Sequence, residues 1–560
     1  MYALIATLPI LLTIVCMVGF GWPAKRALPL AWLVAAIIAA TVWTMPALEI
    51  TALSISGFLS AFETLCIIFG AILLMNILKF SGAMTSIHHI FSGVTKDARI
   101  QAIIIGYVFA GFIEGAAGFG TPAALAAPIL IGLGFPALGA AAVCLIYNST
   151  PVVPGPVGVP TITAASTVSD AVTNLGGDSD TFLLALTQWS CIPHMVGGVV
   201  ILIVGIAVLC KIFGKNKSFK DVIPAIPFCI FTAVVLGVLY LSIAIFAGPE
   251  LVSLVSFLVT LAVVILAAKK GWFMPKDVWT FDGVEEWGDS SWLSTQAISK
   301  PIDKNMAPVK AWLPYVLIGL ILVVTRVSIF HMKPFLTSDA FTIKIHNILG
   351  FDHINWNFTF LWNPGILPFV LVAILTIFFH KMSKSEAKAA FVTSLKQISG
   401  AAIALLFGVA MVNLYRYTSN PAIGDASNSS MLYTMAQALA DIFQGAYFVV
   451  APLIGVLGAF MSGSCTVSNT LFSSLQFETA TLLLMPQVLI VALQNMGGAI
   501  GNMVCVNNIV SVCATTGTSG NEGKLIRTNI IPCIIYCTIV ATIVGIFIYS
   551  GVNPMPELMP

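Results

Sequence analysis

Charge is scarce in this sequence: Asp, Glu, Lys and Arg together make up 9% of its 560 residues, and the formal net charge is only +2. Lys and Arg so dispersed build no surface for nucleic acid. Cysteine occurs eleven times, but almost wholly inside apolar stretches, with no CxxC and no cluster in a polar loop. Neither a disulfide framework nor a zinc site is indicated, and Cys533 and Cys537, which share a helix face, read as small packing residues. A GxSxG elbow, an HExxH motif and a paired His/Asp cluster within an apolar run are all missing, so nothing points to a membrane enzyme or to a cofactor. Short segments of alternating polarity do not dominate either, which argues against a transmembrane β-barrel.

Apolar residues are what the chain has in abundance. They form 58% of it, Phe alone contributes 36, and the mean hydropathy is +1.00. Stretches of about 18 or more mostly apolar residues, enough to cross roughly 30 Å of hydrocarbon as helix, recur from 4–20 to 530–549. The first has no positive charge before it and Lys25 and Arg26 after it, so it reads as a retained helix with its N-terminus outside rather than a signal peptide. The fold class expected is an all-α polytopic membrane protein, with about 12 transmembrane helices plus two re-entrant hairpins in an inverted-topology repeat.

Loop charges supply the orientation. Lys25 and Arg26, segment 79–99 (Lys79, Lys96, Arg99), segment 211–220 with its four lysines, and Lys269 and Lys270 are assigned to the cytoplasm. Loops 43–54 and 166–189 hold Glu49, Asp170, Asp178 and Asp180 but no Lys or Arg, and are assigned outside. The polar stretch 269–310 balances six lysines against six acids and reads as a cytoplasmic loop between two halves. Beyond it, 331–362 is external, 381–396 with four lysines internal, 415–445 external, and the loop with Lys524 and Arg527 internal. Both termini are then predicted external.

An internal repeat is visible. F112-x-E-G-A-A-G-F-G-T resembles F460-x-S-G-S-C-T-V-S-N-T, and the pairs Pro136/Pro486 and Asn148/Asn495 keep an offset close to 350 residues. Loop charges at equivalent places are reversed: lysine-rich 79–99 maps onto 427–447, which has only Asp441, and basic-free 166–189 maps onto the loop with Lys524 and Arg527. That reversal is an inverted repeat, a plan of secondary transporters with the site near the midplane between repeats. The halves are taken as 1–220, with hairpin 100–133, and 309–560, with hairpin 447–483. Between them, 221–308 supplies two transmembrane helices and the cytoplasmic loop.

Each half also breaks a helix. The run N148-STPVVPGPVGVP has four prolines and two glycines between Pro151 and Pro160 and cannot continue an α-helix. Its counterpart is expected around Q494-NMGGAIGNMVCVNN. Irregular backbone at membrane depth is tolerated only where protein or a water-filled cavity satisfies it. A hairpin tip exposes unpaired N–H groups that attract anions, and glycine allows close backbone approach. The substrate-binding candidates are therefore Gly115, Gly118, Gly120, Thr121, Asn148, Ser149 and Thr150 in the first half. In the second they are Ser462, Gly463, Ser464, Cys465, Ser468, Asn469, Thr470, Gln494 and Asn495.

Glu114 is costly at mid-membrane and is assigned the proton-coupling role, with Glu63 and His194 as rivals and a neutral structural carboxyl as the plain alternative. Gly111/Gly115 and Gly497/Gly501 have the Gly-x-x-x-Gly spacing that also serves helix packing alone. Arg326, one or two turns from an external helix end, could snorkel or meet a substrate carboxylate. Broken helices around one cavity favour a carrier over a channel with a continuous polar pore.

GFIEGAAGFGTP, the following GLGFPALGAAAVCLIYNSTPVVPGPVGVP, GAFMSGSCTVSNTLFSSLQ and QNMGGAIGN resemble the L-lactate permease family, which includes glycolate permeases. The resemblance runs over essentially the whole chain. It implies import of a small 2-hydroxymonocarboxylate, L-lactate first and D-lactate or glycolate next, by proton symport across the bacterial cytoplasmic (inner) membrane. The wider ion-transporter superfamily has paired hairpins with Ser-Asn-Thr tips, matched by Ser468, Asn469 and Thr470, and that similarity implies an elevator motion of the hairpin domain. A homodimer is compatible with it.

Two positions depart from the family pattern. Cys465 stands where members commonly carry an acidic residue, and Asn502 near where they carry a lysine. Both charges are absent together, which a buried site tolerates better than the loss of one partner. The alternative reading is a sodium-coupled organic anion transporter of the same fold, its ion held by backbone carbonyls with Ser, Thr and Asn oxygens at the two tips.

Overall fold

The computed structural model describes residues 2–16, 20, 22–83, 86, 93–118, 121–294, 306–326, 330–363, 365–419 and 429–559, with Ala117, Thr121, Val323, Arg326, Gly400, Ala401 and Met461 described in the backbone only. Gly120 lies outside these residues, as do the side chains of Thr121 and Arg326. The described chain is a multi-pass bundle of helices. Ten are long and apolar enough to cross a membrane, and five further apolar helices are shorter: Tyr2–Ile14, Pro122–Gly132, Ala137–Tyr147, Pro308–Leu322 and Gly365–Phe379. The long helices fall short of the twelve crossings expected because several apolar runs are divided by breaks.

Local sequence sets many of the starts. Asp178 accepts from the Thr181 N–H to begin Ser179–Val208, and Ser383 forms a reciprocal capping pair with Glu386 at the head of Lys384–Tyr417. Ser464 caps Cys465–Leu482. Each cap satisfies N–H groups that the first turn leaves unpaired. Pro136 and Pro486 stand immediately before Ala137–Tyr147 and Gln487–Gly501, so the two proline positions paired by the repeat hold equivalent structural places.

Two helices of 34 residues, Ala47–Phe80 and Lys384–Tyr417, lie side by side. They run antiparallel: Asn413 donates to the Leu53 carbonyl at 3.3 Å, while Asn76 at the other end donates to Ser394 at 2.9 Å and Gln397 at 2.8 Å. Glycine permits the approach, since a Cβ on Gly57 would sit 2.6 Å from Ala410 Cα. A second cluster of buried apolar side chains gathers the hairpins, the broken helices and the helices that follow them.

In that second region the halves exchange partners. Cys465–Leu482 packs on Val159–Asn174 of the first half, and Thr121–Gly132 packs on Val506–Thr516 of the second. Likewise Ser179–Val208 packs on Gln487–Gly501, and Glu522–Tyr549 on Ala137–Tyr147. Each of these elements is thus packed against the other half as well as against its own.

Irregular segments are tied down by a few buried groups. Arg99 is 2% exposed and pairs with Asp97 at 2.6 Å. It also donates to the carbonyls of Asp221 at 2.6 Å and Asp277 at 2.7 Å, so one guanidinium clasps three loops that the charge pattern assigns to one side. The departure from an all-helical reading is a two-stranded antiparallel ribbon, Thr342–Ile345 with Trp356–Thr359. Its aromatic alternation, Trp356 and Phe358 buried with Asn357 exposed, has the period of a strand.

Candidate functional site

In the first half, helix Ala110–Ala117 ends at Gly118, whose φ of +47° and ψ of −146° lie outside what a side chain tolerates. A Cβ there would meet Pro156 at 2.6 Å and Glu114 Oε1 at 2.9 Å. The glycine therefore lets the first tip close against the broken segment that contains Pro156. The chain turns helical again at Thr121–Gly132. Glu114 is 3% exposed, with the Asn148 amide as its polar side-chain neighbour. Glu114 Oε2 and Asn148 Oδ1 are both buried without a hydrogen-bond donor. Among the described residues no cation forms an ion pair with this carboxyl.

The neighbouring candidates divide between polar contact and packing. Thr150 meets the Tyr536 hydroxyl at 3.1 Å, and Tyr536 in turn meets His194 Nδ1 at 2.5 Å. His194 Nε2 and the Tyr107 hydroxyl are buried without partners, and both residues border a cavity of about 10 Å³. Ser149 donates to the Ile146 carbonyl at 2.6 Å, within its own turn. Gly115 is a packing glycine, because a Cβ would lie 2.5 Å from the Leu254 backbone nitrogen.

In the second half, helix Tyr447–Ser462 ends at Gly463 with φ +80°, and Ser464 begins the next arm. Five of the remaining candidates are drawn into one buried network. Asn469 Nδ2 donates to Asn495 Oδ1 at 2.8 Å and to the Pro160 carbonyl at 3.0 Å. Asn495 Nδ2 donates to Thr161 at 2.9 Å and Ser190 at 3.2 Å. Gln494 donates to Ser468 Oγ at 3.0 Å, Ser468 donates to the Gly455 carbonyl at 2.8 Å, and Cys465 Sγ lies 3.4 Å from the Asn495 carbonyl oxygen. Asn469 and Asn495 are fully buried. The network joins the halves, since Pro160, Thr161 and Ser190 belong to the first.

The second break has a sharper location than its sequence shows. The interruption expected around Q494-NMGGAIGNMVCVNN falls at 502–505, in the later part of that stretch, while Gln487–Gly501 stays helical through its glycines. The reason is packing: a Cβ on Gly497 would lie 2.1 Å from the Pro452 carbonyl oxygen, and one on Gly501 2.8 Å from that of Val456. These glycines let the hairpin arm and the helix touch backbone to backbone. The broken segments still converge, with Val152, Val153, Cys465 and Ala499 forming one small buried cluster.

A cavity of about 320 Å³ lies between the long antiparallel pair and the exchanged region. The pair contributes Glu63, Asn413 and Arg416, the facing helix Val159–Asn174 contributes Thr163, Ser166 and Thr167, and the ribbon segment contributes Phe358, Thr359, Trp362 and Asn363. Of the candidates named from the sequence, Thr470 and Glu63 line it, and Glu114 and His194 do not. The Trp356 indole lies beside the Glu63 carboxyl. Arg416, 16% exposed in its side chain, pairs with Asp170 at 2.8 Å, and the Tyr417 hydroxyl donates to the same carboxylate at 2.8 Å.

Arg416, Glu250, Asn363 and Asn413 were not singled out from the sequence. The signal for Arg416 was present, because it is a cation ending an apolar run, as Arg326 is. The signal for Thr163, Ser166 and Thr167 was the row of hydroxyl residues just beyond the proline-rich break.

The family described as L-lactate permease matches residues 2–550 of the chain. A Haemophilus influenzae relative is 31% identical over 517 residues, covering 88% of each chain. The L-lactate permease of Escherichia coli K12 is 29% identical, covering 98% of this chain and 96% of its own. The glycolate permease of the same organism is 27% identical with the same coverage.

Proposed function

This chain belongs to the L-lactate permease family, and from that membership we propose that it is a secondary active importer of a small 2-hydroxymonocarboxylate, L-lactate or glycolate, coupled to one proton. It works in the bacterial inner membrane with both termini outside. In this reading the halves 1–220 and 309–560 are inverted repeats, 100–133 and 447–483 are re-entrant hairpins, and the region of exchanged helices travels as an elevator against the long antiparallel pair. Glu114 carries the coupling proton. The tips and broken segments enclose the substrate during passage, with Asn469, Thr470, Asn148 and their neighbours as polar partners.

The observation that carries the coupling assignment is the pair of buried oxygens without donors, Glu114 Oε2 and Asn148 Oδ1. A carboxylate sealed in apolar surroundings without a cation is expensive, and a proton on Glu114 removes that buried charge. A monocarboxylate and one proton entering together move no net charge, so uptake should follow the pH gradient and depend little on voltage. The proton is preferred to sodium because the amide and hydroxyl groups around Asn469 and Asn495 already hydrogen-bond one another. The deciding experiment is uptake into proteoliposomes under imposed proton or sodium gradients, with lactate, glycolate and dicarboxylates. Accumulation that follows sodium and ignores pH would overturn the proton reading.

A further inference from the structure

We propose that Arg416 is the carboxylate-binding residue of the 320 Å³ cavity, exchanging Asp170 for the substrate, and that the hydroxyl row Thr163, Ser166 and Thr167 receives the substrate's 2-hydroxyl. This rests on the functional reading above and gives that reading its entry site.

The first ground is charge. Arg416 is the cavity's one cationic lining residue among the described residues, and Glu63 and Glu250 line the same space. An anion entering a space lined by two acidic side chains needs a fixed cation. The guanidinium also presents a planar fork suited to a carboxylate. Its present partner is already a carboxylate, Asp170, held at 2.8 Å and 55% exposed in its side chain. Exchanging one carboxylate for another leaves the guanidinium paired throughout and returns Asp170 to water.

The second ground is hydrogen-bond polarity. Ser166 and Thr167 both donate their hydroxyl protons to the Thr163 carbonyl, at 3.0 and 2.7 Å. Thr470 donates to the Thr466 carbonyl at 3.0 Å. Hydroxyls whose protons are directed into their own helices turn acceptor lone pairs outward, and these residues line the cavity. The complementary ligand group is a donor one carbon from the carboxylate, which is what a 2-hydroxy acid offers and a simple fatty acid lacks.

The third ground is position. Arg416 lies in the last turn of Lys384–Tyr417, where the helix dipole favours a cation. The three segments around it, 166–189, 331–362 and 415–445, are those that loop charge assigns outside. The cavity volume falls within the roughly 300–1,000 Å³ of small-molecule sites.

The test is equilibrium binding of radiolabelled L-lactate to the purified full chain in detergent, with competition by lactamide, the neutral amide, and by propionate, which lacks the hydroxyl. Arg416→Gln should weaken lactate binding roughly 10- to 100-fold, as for loss of a charge-assisted hydrogen-bond pair, and should erase the preference for lactate over lactamide. Asp170→Asn, which removes the competing carboxylate, should strengthen lactate binding. Thr163→Val with Thr167→Val should narrow the gap between lactate and propionate. Where Arg416→Gln fails to fold, Arg416→Lys keeps the charge without the fork and should weaken binding by less. Equal lactate affinity in Arg416→Gln and the unmodified protein would overturn the assignment, as would Asp170→Asn weakening binding as much as Arg416→Gln, the behaviour of a purely structural tie. If the unmodified protein binds no 2-hydroxymonocarboxylate, the transport reading itself falls and the assignment with it.

Discussion

Replacing Glu114 by Gln separates proton coupling from substrate passage. Gln has nearly the shape of a protonated Glu and carries no charge, so it keeps the side chain beside Asn148 without the cost of a buried carboxylate. The variant should therefore be at least as stable as the parent. Glu114→Ala instead leaves Asn148 facing an empty space and should cost about 1–3 kcal/mol for its unsatisfied amide. Reconstituted with the external pH about one unit below the internal, each proton supplies about 1.4 kcal/mol, enough to hold a roughly tenfold substrate gradient at one proton per monocarboxylate. The unmodified protein should approach that ratio, and Glu114→Gln should stay near unity while still exchanging labelled for unlabelled substrate. A sustained tenfold gradient in Glu114→Gln would refute the reasoning and move the coupling role to Glu63, which lines the cavity.

Other outcomes follow from the geometry. Arg99→Met strands the buried Asp97 carboxylate and unclasps the Asp221 and Asp277 carbonyls, so thermal unfolding in detergent should report a loss of about 3–5 kcal/mol; less than 1 would mean the pair is dispensable. Asn469→Ala removes the donor to Asn495 Oδ1 and Pro160 and should lower stability by about 1–3 kcal/mol per acceptor left unpaired, with an unchanged unfolding midpoint counting against the network. Gly497→Ala would press a Cβ to 2.1 Å from the Pro452 oxygen, whereas Gly319→Ala meets nothing within 4 Å. The first should reduce folded yield sharply, and the second should be neutral or stabilise by up to about 1 kcal/mol. Cysteines introduced at Asn174 and Gly523, at helix ends that the proposed repeat makes equivalent, should react with an impermeant maleimide from opposite faces. Ten of the eleven native cysteines are buried, so the background is low, and labelling of both sites from one face would end the inverted-repeat reading.

Much of the membrane plan is legible without coordinates, because the bilayer enforces it. Length and hydropathy identify spanning helices, and proline and glycine mark where helices must stop. The tip at Gly118 and the break after Asn148 are found where GFIEGAAGFGTP and STPVVPGP predict irregular backbone, since no side-chain context can restore a helix through four prolines in ten residues. Within Q494-NMGGAIGNMVCVNN the break falls at 502–505, while the glycines before it remain helical, because glycine only permits irregular backbone and here the Pro452 backbone needs the room.

What one dimension could not supply is which polar groups meet. Asn469 and Asn495 were both nameable as candidates, but their mutual hydrogen bond, and their joint hold on Pro160 and Thr161 more than 300 positions away, come from the exchange of helices between halves. Arg416 and Asp170, 246 positions apart, lie in apolar-to-external transitions that look alike in sequence. Periodicity and loop charge constrain each helix by itself, through its length, its ends and its side of the membrane. The 320 Å³ cavity is lined by the two long helices, by Val159–Asn174 and by the ribbon segment, which are far apart in the chain, so no pattern within any one of them shows it.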